Sequence, residues 1–188
     1  MKSLCRQKLR RAFAAVQPHR NGQSNRGGFS LLEMLIVLAI IGILATIVIP
    51  EIQDQSQKAK EAAAKETLQK LRSVIELYAV QHKGYPPGYV KEVLSTAEMV
   101  ITKQLCSATN SDGEDAPGGT AGFSLGHYLI EMPDNPFNDK NTMTILADNA
   151  SFPAKADGTT GWIYKPITKA IRLNCDGTDS EGVRYYDY

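Results

Sequence analysis

The chain is poor in the residues that most enzyme chemistry requires. It has three histidines and three cysteines in 188 residues. No Cys-x-x-Cys pair, His-Glu-x-x-His run, Gly-rich phosphate loop or Ser-His-Asp arrangement is present, so no enzyme reading has a visible catalytic set. Two further absences are local. Residues 1–28 contain no acid, and residues 34–50 contain no charge of either sign. Both fall at one end of the chain and set it apart from the rest.

The acid-free stretch is basic: Lys2, Arg6, Lys8, Arg10, Arg11, Arg20 and Arg26. The formal net charge of +1 hides this asymmetry, because the remaining 14 basic residues face 20 acids, leaving residues 29–188 at about −6. A basic tail alone fits a nucleic-acid partner. In front of an apolar segment it sets membrane orientation, since Lys and Arg stay on the cytoplasmic side. That segment, residues 29–50, has the 22 residues needed to cross ~30 Å of hydrocarbon as a helix. Ile, Leu, Val and Ala occupy all its helical faces, unlike the single stripe of a soluble core helix. Everything after it is then expected outside the cytoplasm. There Cys106 and Cys175 form an even pair, which predicts a disulfide, with two buried thiols as the alternative. Closing that 70-residue loop is worth about 4 kcal/mol in unfolded-chain entropy.

A secretory signal is cut behind its apolar core, at small residues. Here the best cut site, Gly27-Gly28, precedes the core. Two glycines lie extended in a protease groove without side chains to obstruct it. Cutting there removes the leader, keeps the helix and leaves Phe29 with a new α-amine. Glu33 sits four residues on, where a carboxylate facing lipid costs up to about 2.5–3.5 kcal/mol at a helix centre and less near an end. The Phe29 amine is its candidate partner, within one chain or between neighbours, where it would set axial register. The macrodipole also favours an acid at a helix N-terminus, but that alone does not explain the glycines.

The run Gly27-Gly28-Phe29-Ser30-Leu31-Leu32-Glu33-Met34-Leu35-Ile36-Val37-Leu38-Ala39-Ile40-Ile41-Gly42-Ile43-Leu44-Ala45 resembles the N-terminal signature of type IV pilins and type II secretion pseudopilins. The resemblance implies an α+β, pilin-like fold: a long N-terminal helix, transmembrane in its first half, packed against a small antiparallel sheet. It implies cleavage between Gly28 and Phe29 by an inner-membrane prepilin peptidase, and N-methylation of Phe29. It also implies partners: copies of the chain itself, minor pilin or pseudopilin subunits and the inner membrane, with no nucleic acid required. Gly42 and Pro50 bracket a weak helical segment, which in the family can lose helicity on assembly.

Beyond Pro50 the pattern turns amphipathic. Leu68, Leu71, Ile75 and Tyr78, beside Ala64 and Val74, predict a spine helix packed on a core. Glu61 with Lys65 and Glu66 with Lys70 are ordered as surface ion pairs. His82 and Lys83 suit the helix end, Gly84 its cap, and Pro86-Pro87 prevents continuation. The expected segments are a cleaved leader (1–28), an assembly helix (29–50), a spine (51–84) and a head (85–188). Within the head, residues 90–105 read as short helices and 107–122 as a loop. Residues 142–147, 161–165 and 170–174 read as strands, the last two joined by a turn. Trp162, Tyr164, Tyr185, Tyr186 and Tyr188 are expected to pack this sheet.

Tyr85-Pro86, Tyr128-Leu129 and Pro133-Asp134-Asn135-Pro136-Phe137 loosely resemble the head of the major pseudopilin of type II secretion, whose C-terminal loop binds calcium. Asp176, Asp179 and Glu181, clustered with Gly177 and Gly182, are the candidate calcium ligands, against a solvated acidic turn. Asp112, Glu114 and Asp115 present the same choice. The expected role is a filament subunit acting in protein export, held in a bacterial inner membrane with its head in the periplasm. The rivals are a surface pilin, a DNA-uptake pseudopilin, a monomeric membrane-anchored binding protein and, more weakly, a membrane-tethered hydrolase.

Overall fold

The computed structural model describes residues 28–188, so the leader lies outside the described residues except for Gly28. The chain divides into two units, one ending at Ala45 and one running from Thr46 to Tyr188. Helix α1 spans Leu31–Gln81, 51 residues. The first unit contributes only the start of α1, and the second carries the remaining elements.

In the second unit α1 buries one stripe at alternating spacings of three and four: Ala64, Leu68, Leu71, Ile75 and Tyr78, each at most 1% exposed. Those spacings hold successive side chains on one side of a 3.6-residue helix. The stripe ends on polar residues that are also buried, Glu61 and His82. Lys83, at φ 57, takes the left-handed position that stops the helix, and the Gly84 N–H bonds the Ala79 carbonyl at 2.8 Å. The stop is a Schellman-type turn centred on Lys83, one residue before the expected glycine cap. Neither the Glu61–Lys65 nor the Glu66–Lys70 ion pair forms; Lys65 reaches Asp179 instead.

Residues 90–105 are only half helical. A two-stranded hairpin, β1 (Tyr89–Val90) and β2 (Val93–Leu94), precedes helix α2 (Glu98–Cys106). Its turn residues Lys91 and Glu92 both have positive φ, the geometry of a tight hairpin turn without the usual Asn-Gly signal. The expected loop at 107–122 contains two-residue strands, β3 (Ala108–Thr109) and β4 (Asp115–Ala116), which with β5 (Leu125–Gly126) form a sheet in the order β4-β3-β5.

The sheet on the core is β6 (Met143–Ile145), β7 (Trp162–Lys165) and β8 (Ala170–Leu173), all near their expected positions. β7 and β8 are antiparallel, joined by a 3-10 turn at Pro166–Thr168. β6 pairs with β7 in parallel, so this sheet is mixed and not wholly antiparallel. A parallel partner needs a long crossover, and the stretch between Ile145 and Trp162 supplies it. Gly161 opens β7 against the Lys140 carbonyl, where any Cβ would collide. Trp162, Tyr164, Ile171 and Leu173 close the core over the α1 stripe with Ile101 and Leu105 of α2. Tyr185 and Tyr186 are buried too, in line with aromatics that pack the sheet.

His82 closes the far end of the stripe. Its ring stacks on Tyr78 with centroids 3.6 Å apart and planes 4° from parallel. Nδ1 lies 2.8 Å from the Tyr78 carbonyl, which only accepts, so Nδ1 carries the proton. Nε2 then accepts from the Thr109 hydroxyl at 3.0 Å. Burial lowers the His82 pKa from its ordinary 6.5, partly offset by backbone hydrogen bonds to Tyr78 and Asn110. The fold therefore holds a neutral imidazole. Its contribution to stability is fully present above pH 6.5 and is lost as pH falls through the lowered folded-state value, because the unfolded chain takes up a proton first. Denaturant melts of wild type should show stability declining below that pH, and His82→Asn should flatten the slope. An unchanged slope would exclude His82 as its source.

Candidate functional site

In the first unit, α1 begins with a cap that its sequence encodes. The Glu33 N–H donates to Ser30 Oγ at 3.3 Å, and the Met34 N–H donates to the Ser30 carbonyl at 3.1 Å. Ser30 is thus the N-cap and Glu33 the third helical residue, the Ser-x-x-Glu spacing of a capping box. That signature was readable from the sequence beside the macrodipole argument. It gives Ser30 the helix-starting role through the Glu33 backbone N–H, and leaves the Glu33 carboxylate exposed.

Every residue from 28 to 49 is exposed except Ala45, which is half-buried. Phe29 is 73% exposed, Leu31 84% and Leu38 68%. Among the described residues this is the one helix long and apolar enough to cross a membrane. Each such side chain left in water forgoes about 1.5–3 kcal/mol of burial. Gly28 and Gly42 meet nothing that a Cβ would touch, so packing within the described chain requires neither glycine. The helical backbone runs through Pro50 without a break.

The remaining candidates are not gathered into a site. Cys106 and Cys175 are free thiols, so the expected disulfide is not formed. Cys106 ends α2, where burial and the nearby Glu131 charge raise its pKa. Cys175 is buried, which pushes its thiol up to about 11 despite a hydrogen bond with Asn135. Asp112, Glu114 and Asp115 pair separately with Lys83, Lys91 and Lys103. Asp176 Oδ1 accepts from the Gly177 N–H at 2.9 Å, Glu181 is exposed, and Asp179 is buried against Tyr188 and Lys65. No three His, Cys, Asp or Glu side chains among the described residues are placed to hold a metal ion. A calcium ion does not fit this tail, because the buried carboxylate already faces an ammonium.

Residues 23–49 match the family model described as the prokaryotic N-terminal methylation motif. Type II secretion system core protein G of Escherichia coli (strain K12) is 34% identical over 134 residues, covering 71% of this chain and 82% of that protein. Its Aeromonas hydrophila counterpart is 33% identical over 118 residues, covering 63% and 72%. This chain belongs to the type II secretion system core protein G family. The type IV major pilin protein PilE1 of Neisseria gonorrhoeae is 33% identical over 86 residues, covering 46% of this chain and 40% of the pilin. No solved structure matches the chain.

The exposed start of α1 is the part of the described chain that the methylation motif matches. Its cap can be tested alone. Ser30→Ala removes the acceptor of the Glu33 N–H and should cost about 1 kcal/mol of helix-end stability. In micelles, amides 31–34 should then exchange about fivefold faster, with amides 64–78 unchanged. Equal exchange in both proteins would remove Ser30 as the cap.

Proposed function

We propose that the chain is a structural subunit of a type II secretion pseudopilus, polymerising through its N-terminal helix to act in protein export. The observation that carries this reading is the helix over residues 31–49, apolar on every face and almost wholly exposed in its described chain, inside the stretch that the methylation motif matches. Residues 1–28 are the leader removed by prepilin peptidase, and Phe29 becomes the methylated first residue. Residues 29–50 anchor the subunit in the inner membrane and then pack in the filament core. Residues 51–84 are the spine and 85–188 the head. The basic leader puts the N-terminus on the cytoplasmic side and the head in the periplasm. Partners are further copies of the chain, minor pseudopilins, the peptidase and the membrane.

In this reading Glu33 pairs with the Phe29 amine of a neighbouring copy. The amine exists only after cleavage, so processing creates the partner that assembly uses. Low dielectric strengthens the pair and makes an unpaired Glu33 costly. Gly42 and Pro50 are proposed as the points where the helix yields on leaving the bilayer, since each weakens a helix.

Two measurements check this. The intact mass of protein recovered from membranes should correspond to a chain starting at methylated Phe29; a start at Met1 or beyond Pro50 removes the processing argument. Glu33→Leu should leave insertion and cleavage intact but cut filament yield by about tenfold or more, the effect of losing ~1.4 kcal/mol of subunit pairing. Normal filaments from that variant would refute the role of Glu33.

A further inference from the structure

The head ends in a tail that folds back onto α1. It is held by a polar stripe adjoining the buried apolar one. Gln57, Glu61, Lys65 and Arg72 recur at spacings of four, four and seven, so they lie along one side of the helix. The first two meet Tyr185: Gln57 Nε2 donates to its hydroxyl at 2.5 Å, and that hydroxyl donates to Glu61 Oε1 at 3.2 Å. Arg72 Nη2 donates to the Tyr188 carbonyl oxygen at 2.5 Å. Lys65 Nζ lies 3.6 Å from Asp179 Oδ2 and 4.5 Å from the centre of the Tyr188 ring.

Asp179 is the hub of the tail. Its side chain is 2% exposed. Oδ1 accepts the Glu181 and Val183 N–H groups, both at 2.9 Å, and Oδ2 accepts the Tyr188 hydroxyl at 2.8 Å. A carboxylate offers about four acceptor positions; three are filled by these hydrogen bonds, and the Lys65 ammonium faces Oδ2 as an ion-pair partner. Desolvation raises the Asp179 pKa, but the Tyr188 hydroxyl, the two N–H groups and the Lys65 charge outweigh it and hold the carboxyl below its usual range. A divalent ion bound here would have to displace Tyr188 and stand close to an ammonium, against like-charge repulsion.

We infer that Lys65 is the resident cation of the C-terminal tail. It neutralises Asp179, lies over the Tyr188 ring and clasps residues 177–188 to α1. The resembled major pseudopilin fills a C-terminal loop with calcium, whereas this chain closes its tail with a side chain and needs no divalent metal to do so. The inference concerns the head alone and stands or falls separately from the filament reading.

The test uses the full chain in detergent micelles, melted in a chelator and in millimolar calcium, with limited trypsin digestion reporting on Arg184 inside the tail. The wild-type Tm should be the same in both conditions. Lys65→Met should lower it by about 2–4 °C, the shift expected per kcal/mol in a chain of this size. It should also speed cleavage at Arg184, and Lys65→Arg should restore both. Asp179→Asn should by itself cost at least as much as Lys65→Met, because it also weakens the acceptor of the Tyr188 hydroxyl, and the double variant should fall short of the sum of the two because they share the Lys65 contact. A calcium-induced rise in the wild-type Tm that Asp179→Asn abolishes would overturn the inference. So would a Lys65→Met protein with wild-type Tm and wild-type cleavage.

Discussion

The start of α1 has no place of its own to bury its side chains. From residue 31 to 49 it is apolar on every face, and its described chain covers almost none of it. Water cannot hold such a surface without a large hydrophobic cost, so the segment must be solvated by lipid or by other helices. A helix suits either setting, because its backbone polar groups are satisfied internally. Lipid, however, is as apolar as leucine and gives such helices no drive to choose one packing over another. Specificity has to come from polar exceptions in the segment, and Glu33 is its one ionisable group. The methylation motif covers the same stretch, residues 23–49.

The head follows from a second constraint, the angular register of α1. One side of the helix carries Ala64, Leu68, Leu71, Ile75 and Tyr78 into the core, and an adjoining side carries Gln57, Glu61, Lys65 and Arg72 to the tail. The two stripes share a helix but hold different parts of the head. The apolar one receives β6, β7, β8 and α2, and the polar one receives the residues around Tyr185 and Tyr188. A helix rotated by one residue would bring charge to the sheet and methyl groups to Asp179, so both contact sets select a single register.

How far this was legible in the sequence depends on how each signal is built. The spine stripe was readable because its period is long and repeated, and the strands at 143–145, 162–165 and 170–173 because they are β-branched and aromatic runs bounded by turn residues. The hairpin at residues 89–94 was not, because its turn is Lys91-Glu92, two residues that carry no turn signal. The two-residue strands at 108–126 are too short to show a period. The parallel pairing of β6 depends on a crossover path, which local sequence does not encode. At the functional segment, the glycine pair and Glu33 were legible, and the Ser30 cap was legible but lay behind the more conspicuous acid. The Glu61–Lys65 spacing pointed to an ion pair, but Glu61 is itself buried and accepts from Tyr185 and Gln57, while Lys65 turns to Asp179, 114 residues on in sequence.

Lysine is used repeatedly in this head as an internal cation. Lys140 Nζ donates to the carbonyls of Gly158 and Thr159, at 2.6 and 3.1 Å, and Lys165 Nζ donates to the Ala150 carbonyl at 2.7 Å. Lys65 does the same kind of work at Asp179. Each ties down a stretch with little regular structure, where carbonyls and carboxylates have few ladder partners and would otherwise depend on water or a bound metal. A hard metal ion suits the same oxygen ligands, but it must be captured from solution and is lost to chelation. A lysine arrives with the chain, at the cost of fixing a flexible side chain. Loops held this way resist chelators and are sensitive instead to salt, which screens the ammonium–oxygen attraction wherever it is exposed to solvent. That exchanges dependence on the metal content of the surroundings for dependence on ionic strength.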